Sequence, residues 1–157
     1  MIDIQKEIEK KFPNMNKKEN FLKKSLFKIA KKIVHEDSIN QFLSQNAHLK
    51  GFEFVDAVLD YFDFDYAISS NDLQNIPTSG KVVIIANHPL GGLDALCLLR
   101  LIGQIRKDVK IIANDFLAGF EALNSLIITI DNYKQKQSKS DIKKIYEALK
   151  NEEAVII

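Results

Sequence analysis

Residues 82–94 are the segment that most constrains what this chain can fold into. The segment begins with the apolar run Val-Val-Ile-Ile-Ala and continues as Asn-His-Pro-Leu-Gly-Gly-Leu-Asp. A continuous β-branched run is typical of a strand covered on both faces, as in the parallel sheets of α/β proteins. Pro89 has no amide proton to donate to a sheet, so the strand must end before it. Ligands of α/β folds bind at the carboxyl ends of such strands, which makes the residues after the run candidates for a functional site.

His88 and Asp94 are the two residues of this segment best suited to proton transfer. On one continuous helix they would face different sides, so they can meet only if the backbone reverses between them. Gly91 and Gly92 permit a reversal, because glycine reaches positive φ without steric cost. Residues 95–102 have a helical composition, which places Asp94 at the helix N-cap or in its first turn, where the dipole favours a carboxylate. We therefore interpret His88 as a general base that Asp94 orients.

A purely structural interpretation of the same residues is also available. Aspartate is a common helix cap, and a histidine can simply end a strand. Cys97, one helical turn after Asp94, could act as a nucleophile with His88, but a lone cysteine in a leucine-rich helix more often packs in a core. The combination of strand, histidine, paired glycines, aspartate and helix is rare enough to favour catalysis by His88 and Asp94.

Residues 87–94 resemble the catalytic block of the lysophospholipid and glycerophosphate acyltransferase superfamily. Five residues separate His88 from Asp94 where most of the superfamily has four, and this longer form is typical of its hemolysin-like or ornithine-lipid-type branch. The resemblance extends to an Ile-Pro-x-x-Gly entry at residues 76–80 and to two later apolar segments, 109–114 and 126–131. It covers about the last two thirds of the chain.

The resemblance implies an α/β fold, with a mostly parallel sheet flanked by helices and preceded by a helical N-terminal segment. Residues 1–65 would form that segment, and residues 66–157 the N-terminal part of an acyltransferase domain. The implied reaction belongs to membrane lipid synthesis. His88 would deprotonate a lysolipid hydroxyl, which attacks the thioester of an acyl carrier protein or coenzyme A while Asp94 balances the charge. No other cofactor and no covalent acyl-enzyme are required.

Further residues would bind the substrates of this reaction. Asn87, Gly91 and Gly92 surround the catalytic pair, and backbone N–H groups at the glycines are suited to an oxyanion. Asn114 and Asp115 follow a predicted strand on the ligand side, although Asn-Asp is also a common turn pair.

The sequence departs from the family pattern in two places. Many relatives have an arginine soon after the third strand, where this chain has Asn132, so a phosphate-bearing acceptor is less expected. Residues 154–157 resemble the strand that leads into the family's Phe-Pro-x-Gly acceptor loop, and the sequence stops before that loop. We therefore expect a truncated domain with little or no turnover.

Charge is unevenly distributed along the chain, although the formal net charge is only +1. Residues 6–32 are rich in lysine, and residues 51–66 are acidic. A helix predicted over residues 16–34 has an apolar stripe (Leu22, Leu26, Ile29 and Ile33) that suits either an interfacial helix or one packed on a core. The resemblance favours peripheral contact with the inner face of a membrane. The single cysteine indicates a reducing, cytoplasmic compartment.

Other partners are not indicated. The lysines come without a helix-turn-helix, zinc or aromatic stacking motif, which argues against nucleic acid. His35 and His48 are not spaced with further ligands, so no metal site is expected. No apolar run approaches the ~18 residues that span a bilayer.

The remaining pattern predicts alternating helices and strands. Helices are expected after Ser38 and Gly51 and over residues 141–150, where Ile142, Ile145 and Leu149 would point inward. The other predicted elements are a strand over 66–69, a loop over 70–80, strands over 110–113 and 126–131, a short helical or irregular lid over 116–123, and a polar loop over 132–140.

Two other classes of function remain open. A hydrolase or phosphatase could use His88 and Asp94, but the chain has no Gly-x-Ser-x-Gly turn and no second metal-binding cluster. A noncatalytic membrane-docking or binding fragment is also consistent with the missing acceptor loop.

Overall fold

The computed structural model describes residue 3 and residues 35–87, 89–113, 117, 119–130 and 139–157. The chain divides into two units, Met1–His48 and Leu49–Ile157. Some of the predictions above lie outside the described residues, namely the helix over 16–34 and the residues His88, Asn114, Asp115 and Asn132.

The described part of the first unit contains helix α1, Glu36–Gln45. It follows His35, whose backbone is left-handed with φ 55°, and its buried residues include Phe42. The helix predicted after Ser38 is confirmed, but it begins three residues earlier, so Ser38 lies inside the first turn rather than at the cap.

The described residues of the second unit form a sheet of four parallel strands. They are β1 (Val82–Ile84), β2 (Val109–Ala113), β3 (Ile127–Thr129) and β4 (Ala154–Ile156), in the spatial order β1-β4-β2-β3. The interior strand β4 is fully buried, since Ala154, Val155 and Ile156 are at most 1% exposed. The predicted mostly parallel sheet is confirmed.

Helices cover both faces of this sheet. They are α2 (Phe52–Tyr61), α3 (Ser70–Gln74), α4 (Gly92–Ile105) and α5 (Lys139–Lys150), with a 3-10 helix at Glu121–Leu123. The β1–α4–β2 and β3–α5–β4 crossovers run in opposite directions along the sheet, and right-handed crossovers then place α4 and α5 on opposite faces. Ala148 of α5 packs against Ile128 of β3 and Val155 of β4. The partly buried residues Ile112, Ile145 and Leu149 pack around this cluster.

Helix α2 packs against α4 at Gly103. A methyl group at that glycine would overlap the Phe52 ring, so the ring would have to shift to admit any other residue there. The Phe52 ring also makes a cation–π contact, since Lys107 Nζ lies 4.6 Å from the centre of the ring.

A buried arginine ties together the amino end of the sheet. Arg106, at the end of α4, is 4% exposed and donates from Nε and Nη2 to the Asp108 carboxylate at 2.7 and 2.8 Å. The same guanidinium donates to the Glu152 carbonyl at 2.8 Å and to the Pro77 carbonyl at 3.3 Å. It therefore joins the segments that lead into β1, β2 and β4.

The prediction of a strand over residues 66–69 is wrong. These residues are irregular, and helix α3 begins at Ser70 inside the predicted loop. Ser69 caps this helix, since its Oγ accepts from the Asp72 N–H at 3.1 Å and donates to Asp72 Oδ2 at 2.6 Å. Local side-chain bonding of this kind competes with strand formation.

Two predictions of burial are also wrong. The strand at residues 82–86 was expected to be covered on both faces, but β1 lies at the edge of the sheet, and Val83 and Ile85 are 43% and 83% exposed. Within the described residues β1 pairs with β4 alone, and α5 packs on β3 and β4, which leaves Val83 and Ile85 exposed. Ile142 was expected to point inward and is 58% exposed, because α5 is rotated so that Asp141 and Ala148 are buried instead.

Candidate active site

The turn between β1 and α4 lies at the carboxyl end of the sheet, as the sequence predicts. Pairing with the neighbouring strand continues past β1, since the Ile157 N–H donates to the Ile84 carbonyl at 2.8 Å and the Ala86 N–H to the Ile157 carbonyl at 3.1 Å. Asn87 leaves the sheet at this point and is exposed. This brings the segment that carries the candidate catalytic residues to the ligand-binding edge of a parallel sheet.

Gly91 has a positive φ, which bends the chain just before α4. Its φ of 71° and ψ of −118° are strained for any residue with a side chain, although nothing lies within 4 Å of the position of a Cβ. The glycine is therefore needed for its backbone conformation rather than for space. Gly92 is already the first residue of α4, and a Cβ there would make only an ordinary contact, 3.9 Å from Leu117 Cδ2.

Asp94 lies in the first turn of α4, and its carboxylate bends back over the preceding turn. Its Oδ2 accepts the Leu90 N–H at 2.7 Å. The residue is half-buried, and its charge lies at the positive end of the helix dipole. A carboxylate accepts several hydrogen bonds, so this bond leaves acceptor capacity for an imidazole. Asp94 therefore serves as a cap, and the same hydrogen bond turns its carboxylate back toward Leu90, in the segment that precedes α4.

The other predicted site residues are only partly located. Gly91, Gly92 and Asp94 lie at the start of α4, and Asn87 lies where the chain leaves β1, whereas His88, Asn114 and Asp115 lie outside the described residues. The strand before Asn114 is described. The register places its last residue, Ala113, level with Ala86, and with β4 between them the two strands are about 10 Å apart. The roles predicted for His88, Asn114 and Asp115 stay predictions.

Cys97 is partly buried one turn further along α4. Burial raises the pKa of its thiol, and the negative charge of Asp94 raises it further. A raised pKa keeps the thiol protonated near neutral pH, which disfavours the nucleophilic thiolate. The packing role is thus the better supported of the two interpretations of Cys97.

A polar cavity, not predicted from the sequence, lies further along the same helix. Arg100 binds Asp56 and Asp60 of α2 at 3.0 and 3.2 Å, and Gln104 Nε2 donates to the Tyr66 hydroxyl at 3.1 Å. The cavity has a volume of about 420 Å³, and its lining is completed by Leu59, Asp63, Phe64 and Asp65. Arg100 lies about 9 Å along the helix axis from Asp94. The i, i+4 pair of aspartates on α2 was visible in the sequence, but its partner on α4 depends on how the helices pack.

Within the described residues, no group of three or more histidine, cysteine or acidic side chains is placed to hold a metal ion. The part of the chain that the structure describes also contains no helix that is long and apolar enough to cross a bilayer.

The fold is that of an α/β domain with a parallel sheet, and a carboxylate lies in the first turn of the helix that follows its edge strand. A family model described as "Acyltransferase" matches residues 7–157. The chain therefore belongs to this acyltransferase family, which confirms the resemblance at the level of the family.

Two curated relatives carry the same printed name, lyso-glycine lipid O-acyltransferase. The protein from Bacteroides thetaiotaomicron is 33% identical over 149 residues, which cover 94% of this chain and 52% of the relative. The protein from Phocaeicola vulgatus is 32% identical over 149 residues, which cover 94% of this chain and 51% of the relative. The chain thus spans about half the length of these relatives. No solved structure matches it.

Proposed function

We propose that the protein is a lipid O-acyltransferase, which moves a fatty acyl group from the thioester of acyl carrier protein or coenzyme A to a lysolipid hydroxyl. The observation that carries this proposal is the position of Asp94. Its carboxylate accepts the Leu90 N–H at 2.7 Å and is thereby turned back toward the segment that precedes α4. Membership of the acyltransferase family and the two lipid O-acyltransferase relatives support the same chemistry.

In the proposed mechanism His88 acts as a general base and then as a general acid. Its imidazole takes the proton of the acceptor hydroxyl while the hydroxyl oxygen attacks the thioester carbonyl. The tetrahedral intermediate collapses with cleavage of the carbon–sulfur bond, and the imidazolium returns its proton to the departing thiolate. Asp94 holds the imidazole in one tautomer and stabilises its charged form, so the catalytic pair ends each cycle unchanged.

The start of α4 supplies donors for the oxyanion of that intermediate. The first amides of a helix have no carbonyl one turn earlier to bind, and they point toward ligands at the N-terminus. The Leu90 N–H is already bound to Asp94, so the donors are assigned to the following residues, Gly91 and Gly92. Asn87 and the loop of Asn114 and Asp115 would position the substrates around this point.

The acceptor is proposed to be a lysolipid whose head group is an amino acid rather than a phosphate. The two curated relatives are named for a lyso-glycine lipid. Asn132 stands where many relatives have a phosphate-binding arginine, which agrees with an acceptor that has no phosphate.

The protein is further proposed to work in the cytoplasm, at the inner face of the membrane, without a metal or other cofactor. The lysine-rich sequence of residues 6–32 suits anionic lipid head groups. A lysolipid acceptor is itself a membrane component, so a peripheral position brings the enzyme to its substrate.

Acyl transfer from labelled acyl carrier protein and from acyl-coenzyme A to a panel of lysolipids tests the proposal. We expect faster transfer to a lyso-glycine lipid than to lysophosphatidate at equal concentration. The 157-residue chain is assayed beside any longer product of the same reading frame. Folded protein that binds lipid and transfers no acyl group in either form would contradict the proposal and favour the noncatalytic docking fragment.

A further inference from the structure

Four exposed apolar side chains lie on a part of the second unit that the described residues leave uncovered. They are Val83 and Ile85, which are 43% and 83% exposed, and Ile142 and Tyr146, which are 58% and 66% exposed. We call these four residues the β1–α5 surface. Single exposed apolar residues need no explanation, but a cluster of large ones on one face indicates a contact surface.

The two residues of β1 point to the face of the sheet that α5 covers. Val83 is in register with Val155, and Val155 is buried in the cluster that contains Ala148 of α5. Side chains two residues apart on a strand share a face, so Ile85 points the same way as Val83. Helix α5 lies over β3 and β4, which leaves this face of β1 uncovered by the described residues.

The two residues of α5 lie on the side of the helix nearest β1. Lys144 donates from Nζ to the Thr129 carbonyl at 3.4 Å, so Lys144 marks the side of α5 that faces β3. Ile142 and Tyr146 are each two positions from Lys144, which is about 200° around a helix of 3.6 residues per turn. They therefore border the same uncovered strip as Val83 and Ile85.

This strip opens at the edge of the sheet that carries the candidate active site. Helix α5 leads into Ala154, whose N–H donates to the Asp108 carbonyl at the amino end, so the start of α5 with Ile142 lies at the carboxyl end. Ile85 follows β1 directly and precedes Asn87 by two residues. The apolar strip and the turn between β1 and α4 thus share one end of the molecule.

Basic side chains border the strip on its solvent side. Lys139 and Lys143 are exposed and lie seven and three residues before Tyr146, hence on the adjoining part of the helix surface. Lys143 makes one exposed ion pair, with Glu147 at 3.5 Å. An apolar stripe flanked by lysines is the pattern by which helices bind in the interface of anionic bilayers.

We propose that the β1–α5 surface binds the surface of an anionic lipid bilayer, with its apolar residues among the upper acyl chains and Lys139 and Lys143 among the head groups. This orientation would hold the turn with His88 and Asp94 at the depth where a lysolipid presents its hydroxyl. The benefit to catalysis rests on the proposed function, whereas the binding itself does not.

Co-sedimentation with vesicles of phosphatidylcholine and phosphatidylglycerol in equal parts tests this surface. The variant Ile142→Ser/Tyr146→Ser should bind roughly tenfold more weakly than the wild type, because two large side chains no longer enter the bilayer. Ile85→Ser provides an independent variant on the strand. The matched control is Phe62→Ser/Ile68→Ser, which removes two exposed apolar residues elsewhere and should bind like the wild type.

The lysines test the choice of lipid. Lys139→Gln/Lys143→Gln should weaken binding to the mixed vesicles roughly tenfold and leave binding to pure phosphatidylcholine unchanged, since each lysine acts through the surface charge. Circular dichroism checks that all variants are folded.

Three outcomes separate this proposal from others. Unchanged vesicle binding of both Ile142→Ser/Tyr146→Ser and Ile85→Ser would overturn it. A wild-type dimer that these variants convert to a monomer, with vesicle binding intact, would assign the surface to a second copy of the chain and also overturn it. Transfer to a short-chain, water-soluble lysolipid should be equal in Ile142→Ser/Tyr146→Ser and in the wild type, because this substrate does not require a bilayer. If the wild type binds vesicles but transfers no acyl group to this lysolipid, the result counts against the proposed function alone.

Discussion

At the scale of single residues, Asp94 combines a structural role with the proposed catalytic one. Its carboxylate closes the turn before α4 by accepting the Leu90 N–H, and Gly91 supplies the left-handed backbone that lets the chain reach that bond. A cap and a partner for an imidazole need the same thing, a fixed carboxylate at a helix start. The two interpretations of Asp94 offered by the sequence are therefore compatible.

Replacing Asp94 in two ways separates these roles. Asp94→Asn keeps an oxygen that accepts the Leu90 N–H but loses the charge, so we expect a large loss of acyl transfer with a stability change below about 0.5 kcal/mol. Asp94→Ala loses both, and should cost about 1 kcal/mol of unfolding free energy as well. Urea denaturation and transfer assays measure the two effects. Equal activity of Asp94→Asn and the wild type would contradict the catalytic role.

At the scale of elements, the contact between α2 and α4 is set by one glycine. Gly103 lets the Phe52 ring lie directly against the α4 backbone. Gly103→Ala should lower the unfolding free energy by about 1 to 3 kcal/mol, since the added methyl group overlaps the ring. A double-mutant cycle with Phe52→Leu checks the cause, because the smaller side chain should relieve much of the loss. Additive effects of the two substitutions would exclude a direct clash.

At the amino end of the sheet, Arg106 and its hydrogen-bond partners Asp108, Pro77 and Glu152 hold neighbouring segments together. We call these four residues the Arg106 cluster. Arg106→Lys loses the fork that binds Asp108 and leaves fewer donors for the Pro77 and Glu152 carbonyls. We expect a loss of about 2 to 4 kcal/mol in unfolding free energy. Lys107→Arg, on an adjacent residue outside the cluster, is the control and should change stability little.

The same cluster predicts how stability responds to acid. The hydrogen bond from Arg106 lowers the pKa of Asp108 from its ordinary value of 3.8. A carboxyl with a depressed pKa in the folded state stabilises the protein above its ordinary pKa, and that stability is lost as pH falls through the folded-state value. Asp108→Asn should therefore show a shallower fall in unfolding free energy below pH 3.8. Parallel curves for variant and wild type would contradict this.

The elements also show what the sequence could and could not predict. The apolar run and the glycine turn correctly placed Asn87 and residues 89–94 after the carboxyl end of a parallel strand, and the helix after them was expected. The edge position of β1 was not, because an apolar run does not reveal which strands will pair beside it. The prediction of a strand over residues 66–69 is wrong for a local reason. The Ser69 side chain caps the helix that begins at Ser70, and this local hydrogen bonding competes with strand formation.

At the scale of the whole molecule, the candidate site, the uncovered β1–α5 surface and the start of α5 share the carboxyl end of one sheet. The polar cavity at Arg100 lies on the same helix as Asp94 and could not be predicted, because it depends on how α2 packs on α4. Family membership covers residues 7–157, whereas the activity proposed for the protein rests on relatives about twice as long. This shared end is the reason why we propose that the enzyme meets its acceptor at a lipid surface.

The measurement that tests the central claim most directly is acyl transfer by His88→Ala, compared with the wild type of whichever form of the chain is active. We expect a fall in the transfer rate of at least about a hundredfold, the usual contribution of a general base, with vesicle binding and unfolding free energy unchanged. A folded His88→Ala variant that transfers acyl groups at the wild-type rate would contradict the account.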